Sequence, residues 1–291
     1  MRFATFSTPR AGPAPALVKN GRVHPLPYPD MRAVIEAGAD EAARRASEAS
    51  FGLDEVKLFA PLRPTTLRDG YAFEQHVKTA NANRGREVPE EWYKFPVFYF
   101  TNPNAVFGPQ DEIPIPHYTR AMDYELEIAV IIGRGSRDIR PEDAPNHIFG
   151  FTLFNDWSAR DVQREEMKVG LGPAKGKDFA SSFGPVIVTP DELADRATGR
   201  PGVYDLALSA RVNGETRSQG NFKDMYWSFG DLIARASDST ELLPGDVIGS
   251  GTVGTGCLLE LTRAQGPWLK PGDVVELEAE RIGILKNTVR A

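Results

Sequence analysis

The sequence predicts an α+β protein that is predominantly β, with short helices at its periphery. Three observations carry that expectation. From Leu126 to Ile132 the chain is an apolar run, broken at Glu127 alone, rich in β-branched residues and closed by Gly133, the pattern of a buried strand. Phe95–Thr101 and Ile148–Asn155 are two further apolar, aromatic-rich runs of strand length. The last third, from Leu242 to Arg290, consists of short strand-like segments separated by Pro-Gly, Gly-Thr and Gly-rich turns.

Residues 1–60 read as a small N-terminal α/β appendage and 61–291 as the main body. A strand at Arg2–Thr5 and a turn at Asn20-Gly21 suggest a hairpin. Two helical patches follow, Met31–Ala37 capped by Asp30 and Ala42–Ala49, before Val56–Ala60 enters the body as a strand. Asp69 is placed to cap a helix from about Tyr71 that sets Ala72, His76 and Ala80 on one face. The Ile148–Asp156 run delivers Asn155 and Asp156 at its end, where Ser158 and Asp161 suggest a capping box. Val169–Phe179 is Gly- and Lys-rich but lacks the spacing of a phosphate-binding loop, so it reads as a flexible loop that carries a positive charge. Phe183–Thr189 is a strand and Asp191–Arg196 a helix capped by Thr189. Tyr204–Val212 with Asn213-Gly214 forms a hairpin, and Ser228–Ser237 is a helix with a Ser-x-x-Asp start.

Composition narrows the function classes. The chain of 291 residues, 41% hydrophobic and 25% charged, has ample material for a core. Its net charge of −6, without a basic run, argues against nucleic acid as a partner. One cysteine, Cys257, leaves no intrachain disulfide and suits a reducing cytoplasm. Met1–Arg10 has no apolar targeting core, and no run approaches the roughly 18 apolar residues of a membrane span, so the expectation is a soluble, cytoplasmic protein with no membrane partner.

The chemistry concentrates in Asp123-Tyr-Glu-Leu-Glu127. Alternate side chains of a strand share a face, so its acids sit about 6–7 Å apart on one side. Like charges that close, entering a core, require something positive between them, and a divalent cation held by oxygen ligands is the simplest such object. The alternative is a solvated edge with the acids in water. Asp156, at the end of another buried strand, offers a further oxygen or a plain turn residue.

Taken together, Asp69-x-Tyr71-x-x-x-Gln75-His76, Asp123-Tyr-Glu125-Leu-Glu127, Phe154-Asn-Asp156-Trp-Ser-Ala-Arg-Asp161-Val-Gln163, Lys175-Gly-Lys177-Asp-Phe, Leu243–Thr252 and Gly256–Glu260 resemble the fumarylacetoacetate hydrolase superfamily, over roughly residues 65–290. The resemblance implies a mixed β-sandwich roll, a homodimer and one divalent cation per active site. It implies Asp69, Glu125, Glu127 and Asp156 as metal ligands, a set suited to Mg²⁺ or Mn²⁺, with Ca²⁺ acceptable. It further implies His76 as general base paired with Glu260, Lys177 and Gln163 as oxyanion stabilisers, and Tyr71, Arg84 and Thr252 as substrate contacts. There are departures. Met167 stands where fumarylacetoacetase has a substrate-binding Tyr, Thr79 where the acylpyruvase branch has a lid Glu, and Thr101-Asn102-Pro103 replaces a common Lys-Pro.

The first expectation is therefore a metal-dependent hydrolase that cleaves a carbon–carbon bond in a β-diketone or acylpyruvate-type acid of aromatic or sugar-acid catabolism. A lyase or isomerase using the same metal–enolate chemistry, such as oxaloacetate decarboxylation or tautomerisation of a 2-hydroxydienoate, is the alternative. It needs no activated water, so activity surviving His76→Ala would favour it. A metal-binding scaffold without turnover is the reading from a different class.

Overall fold

The computed structural model describes residues 1–291. Two sheets dominate. In the larger, of twelve strands, neighbours along the main path are Phe51–Gly52, Arg22–Pro25, Ala11–Lys19, Arg2–Thr8, Ser181–Val188, Ile148–Asp156, Leu126–Ile132, Val247–Gly249, Leu67–Gly70 and Phe98–Thr101. A five-stranded sheet is built from Glu215–Asn221, Ala207–Val212, Val274–Ala279, Gly283–Arg290 and Glu112–Pro114. The pairing is mixed: Leu67–Gly70 runs parallel to Val247–Gly249, while most other ladders are antiparallel. This is the α+β, mainly β architecture that the apolar runs and turns predict.

Strand periodicity explains how the layers pack. Along the fully buried Leu126–Ile132 strand, Ile128, Val130 and Ile132 face the main core together with Leu208, Leu277 and Val289 of the smaller sheet. Ala129 and Ile131 face the other way, into a second core closed by Met31, Val34 and Ile35 of the Met31–Ala37 helix. A strand buried on both faces is apolar at nearly every position, Glu127 alone turning into the acidic cluster, which is why no alternation is visible in its sequence.

The segment 1–60 adds strands to the larger sheet: Arg2–Thr8 pairs with Ser181–Val188 of the body, through Arg2 opposite Val188 and Phe3 opposite Ile187. The Asn20-Gly21 turn makes a hairpin of Ala11–Lys19 with Arg22–Pro25, one strand later than the Arg2–Thr5 strand expected there, and Asp30 caps its helix by accepting from the Ala33 N–H at 2.9 Å. Several local expectations need correction. Asp69 lies inside a strand and caps nothing; the helix starts at Glu74 and runs to Ala82. The second N-terminal helix is Ala39–Arg44, ending where Arg45 turns. Ser158 and Asp161 form no capping box, since the Ser158 hydroxyl bonds the Asp156 carbonyl and Asp161 accepts from Thr119 and Arg120. The turn after Thr189 is 3₁₀, Pro190–Arg196, and the Thr189 hydroxyl engages Met1 instead of capping it. The Ser228–Asp231 capping box is present as read.

Phe151 lies at the centre of the main core, its ring 5.2 Å from Tyr204 and 5.8 Å from both Phe222 and Phe229. Phe151→Ala is expected to lower unfolding stability by about 3–5 kcal/mol. Urea unfolding reads this as a lower midpoint at unchanged slope.

Candidate metal centre and active site

Strand pairing brings the acids together. Leu126 lies opposite Asn155 and Glu127 opposite Phe154, so Glu125, Glu127 and Asp156 converge at one end of two neighbouring strands. Asp69 arrives from the other side, on the strand paired to Val247–Gly249, directly opposite Gly249. Carboxylate oxygens of Asp69, Glu125, Glu127 and Asp156 all lie within 4.8 Å of one another, and all four residues are buried. Gly249 and Gly251 make room: a Cβ on Gly249 would stand 2.4 Å from Asp69 Oδ1, and one on Gly251 would stand 2.7 Å from the Gly70 carbonyl. The Gly251 N–H donates to both Asp69 Oδ1 and Glu127 Oε2 at 3.1 Å.

Two cations enter the cluster. Lys177 donates to Asp156 Oδ2 at 2.5 Å and to Glu125 Oε2. Arg160 bridges Glu125 Oε1 and Asp123 Oδ2, each at 2.8 Å. Burial alone would raise the Glu125 carboxyl, but Arg160 and Lys177 outweigh it and hold it well below the carboxylate range. Burial, followed by the charge of Asp156, pushes Asp69 up to about 8. Burial and then Asp69 drive Glu127 well up. Lys177, which burial alone would lower, is held up by Asp156 and Glu125 and stays charged. Two fixed cations thus leave part of the cluster's negative charge uncompensated. Asp156 Oδ1 is buried without any hydrogen-bond partner. An orphaned carboxylate oxygen facing three other hard oxygen donors fits a divalent cation of the Mg²⁺, Mn²⁺ or Ca²⁺ type.

A cavity of about 250 Å³ opens over this cluster. Asp69, Tyr71, His76, Arg84, Glu125, Gln163, Lys177 and Thr252 all face it, while Glu127, Asp156 and Glu260 lie behind its wall. His76 Nδ1 is 2.5 Å from Glu260 Oε1, and the other Glu260 oxygen accepts from the Thr255 N–H at 3.2 Å. Tyr71 stands edge-on to the His76 ring, and burial pushes its phenol up to about 12. Gln163 Oε1 accepts from Arg160 at 3.1 Å, which leaves its NH₂ for the cavity. Met167, half exposed, lines the mouth. Thr79, by contrast, bonds only the Gln75 carbonyl of its own helix.

Sequence reasoning missed three participants. Tyr99, assigned to an aromatic core strand, sits opposite Asp69 in the ladder and donates to Asp156. Only the cross-strand register reveals that. Arg160 and Asp123 were visible within the quoted motifs, but not as a pair. Asp123 accepts from the N–H groups of Leu258 and Leu259 at 2.8 and 3.0 Å, which ties the short Leu258–Leu261 helix to Arg160.

Residues 65–290 match the model of the fumarylacetoacetate (FAA) hydrolase C-terminal family. The chain belongs to that family. It is 34% identical over 253 residues to human "Oxaloacetate tautomerase FAHD2A, mitochondrial", covering 85% of this chain and 74% of that protein. It is 35% identical over 269 residues to the Xenopus laevis oxaloacetate tautomerase fahd2, covering 89% and 78%. Among solved structures, a fumarylacetoacetate hydrolase from Exiguobacterium antarcticum superposes with a TM-score of 0.80 at 30% identity, covering 100% of this chain and 99% of that one. A 5-carboxymethyl-2-hydroxymuconate delta-isomerase from Mycobacterium smegmatis gives 0.75 at 28% identity, with 100% and 99% coverage. Family enzymes use a divalent metal, consistent with the acidic cluster. No helix of the chain is long and apolar enough to cross a membrane.

Because a Cβ at position 249 would collide with Asp69 and with the Phe154 ring at 2.7 Å, Gly249→Ala is expected to weaken Mn²⁺ binding at least about tenfold. Equilibrium titration followed by Mn²⁺ electron spin resonance measures it directly. The raised Asp69 has a further consequence. In the metal-free protein, Asp69 keeps its proton up to about pH 8, whereas the unfolded chain loses it near pH 4, so this group lowers stability as pH rises across that window. A bound cation competes with that proton, so the thermal upshift given by saturating Mg²⁺ should be small near pH 5.5 and grow toward pH 8. Thermal unfolding at the two pH values distinguishes the outcomes.

Proposed function

We propose that this protein interconverts the keto and enol forms of a short 2-oxo dicarboxylic acid of the oxaloacetate type, moving a proton between carbon and oxygen of the bound substrate. Asp69, Glu125, Glu127 and Asp156 would hold the divalent cation, which would supply Lewis-acid polarisation of the two oxygens of a 2-oxo acid. The rest is done by side chains.

The observation that carries the reading is the position of His76. Among groups facing the cavity, burial raises Tyr71 and Tyr99, Lys177 stays protonated, and Arg84 and Arg160 are permanent cations. The carboxylates belong to the metal cluster. His76 is left as the cavity side chain with a ring nitrogen free to exchange a proton with substrate. Donation of Nδ1–H to Glu260 fixes the tautomer in which Nε2 accepts and holds the ring in place. Lys177 and the Gln163 amide stabilise negative charge on a substrate oxygen. Arg84 and Thr252 suit a far carboxylate. A cavity of about 250 Å³ favours a small acid. The relatives named as oxaloacetate tautomerases, and the neighbour named as a hydroxymuconate isomerase, support proton transfer on an enol.

Carbon–carbon bond hydrolysis of a β-diketo acid is the second reading, because the same His76–Glu260 pair can activate water and because the Exiguobacterium neighbour bears that name. Decarboxylation needs no proton carrier at the start and would survive loss of His76, whereas tautomerisation moves a proton and would not, so activity surviving His76→Ala now marks decarboxylation alone. The deciding assay follows enol-oxaloacetate absorbance with Mg²⁺ or Mn²⁺, alongside fumarylpyruvate, acetylpyruvate and fumarylacetoacetate. Metal-dependent ketonisation that falls about 100-fold or more in His76→Ala is the expected result. Cleavage of a diketo acid with no effect on oxaloacetate would replace the proposal by the hydrolase. As for assembly, we propose a homodimer, which sedimentation equilibrium tests.

A further inference from the structure

A second cavity, of about 490 Å³, adjoins the first and shares Arg84, Arg160, Gln163 and Leu259 with it. Five arginines line it: Arg84, Arg120, Arg160, Arg164 and Arg263. They come from four separate parts of the chain: the end of the Glu74–Ala82 helix, the loop before Met122, the first turns of Arg160–Val169, and the loop after Leu258–Leu261.

A basic recess on a chain with 40 acidic and 34 basic residues would ordinarily be neutralised from within. This one is not. Its single acid, Asp161, is already saturated: Oδ1 accepts from the Thr119 hydroxyl at 2.5 Å and the Val162 N–H at 3.0 Å, and Oδ2 from the Arg120 N–H at 2.8 Å. Arg160 is spent on Asp123 and Glu125. Arg164 reaches only Glu165, at 3.8 Å, a contact that is solvent-exposed and worth little. Arg84, Arg120 and Arg263 all line this recess, and none has an ion-pair partner within 4 Å.

The walls are held in place although the guanidinium groups are free. The Asn83 amide bonds the Leu259 carbonyl at 3.3 Å, fixing the helix end that carries Arg84. Arg263 and Ala264 both adopt left-handed backbone, with φ of 51° and 59°, and their N–H groups bond the carbonyls of Glu260 and Leu259. A left-handed non-glycine pair is costly and persists only where its surroundings impose it. Unpaired guanidinium groups around one recess repel each other, whereas a polyvalent oxyanion among them receives several charge-assisted, bidentate hydrogen bonds.

We propose that this arginine basin binds a multiply charged oxyanion, a phosphate or polycarboxylate group, beside the substrate cavity. The anion is either the far end of a long substrate spanning both cavities or a separate small ion, with Arg84 and Arg160 forming the wall the two cavities share. The proposal does not rest on the tautomerase reading, since binding is measured without turnover.

The test is calorimetric titration of the Mg²⁺-loaded protein with inorganic phosphate at ionic strength matched by sodium chloride, which removes general screening from the comparison. The expected result is saturable binding of one phosphate per chain, weakened at least about tenfold in the Arg120→Gln/Arg263→Gln double variant. Arg217→Gln, at an arginine far from the basin that pairs with Glu215, should bind like the parent. Circular dichroism and thermal unfolding of the double variant should match the parent and report its fold, and Arg164→Gln provides an independent, smaller loss if the double variant does not fold. Steady-state kinetics then separates the two sources. Phosphate that raises KM alone marks the basin as the seat of a substrate's far end, whereas a change in kcat, or none in either constant, marks a separate anion. Phosphate heats indistinguishable from chloride, or equal binding by the folded double variant, would overturn the proposal.

Discussion

Everything at the centre of this molecule answers to one electrostatic constraint: four carboxylates are buried with their oxygens within 4.8 Å of one another. Ions of like charge out of water are tolerated only when cations and hydrogen-bond donors surround them, and removing one such partner from a buried network costs about 3–5 kcal/mol. Lys177, Arg160, the Tyr99 hydroxyl and the Gly251 N–H supply part of that compensation. The remainder suits a divalent cation of the kind the family uses and, without one, protons on Asp69 and Glu127. The fold serves that end. Two strands deliver three of the acids to one end of a ladder, and a parallel pair brings Asp69 against a glycine that leaves it space.

The site and the proposed chemistry connect through division of labour. One part of the cavity holds fixed positive charge; the other holds His76, the proposed proton carrier, paired with the buried Glu260. That combination suits stabilising an enolate-like charge and returning a proton to carbon, and it serves water activation equally well.

Much of this was legible before any coordinates. The apolar run 126–132, the turns and the acid pairs at 69, 125–127 and 156 depend on local pattern, and local pattern survives folding. Repulsion between the acids called for a positive object, which the sequence reading took to be a metal; Lys177 and Arg160 meet part of that need as side chains. Tyr99 escaped because its role exists only through the register that sets it opposite Asp69, thirty residues away in the chain. Asp69 as a helix cap and Ser158–Asp161 as a capping box failed for a related reason: both acids were given a local role, while tertiary partners had stronger claims on them. Strand identity follows from periodicity, but pairing between distant strands does not.

Asp123 faces neither cavity, yet it sits at a junction. Its carboxylate receives the N–H groups that open the short helix carrying Glu260, and it grips the arginine that holds Glu125. Glu260, which pairs with His76, and Glu125 of the acidic cluster therefore hang from one buried side chain. A change at this position would disturb both at once, so under the proposed roles acid–base strength and metal affinity are tied to the same residue. Selection acting on either property would register as restraint at a residue that never meets the substrate.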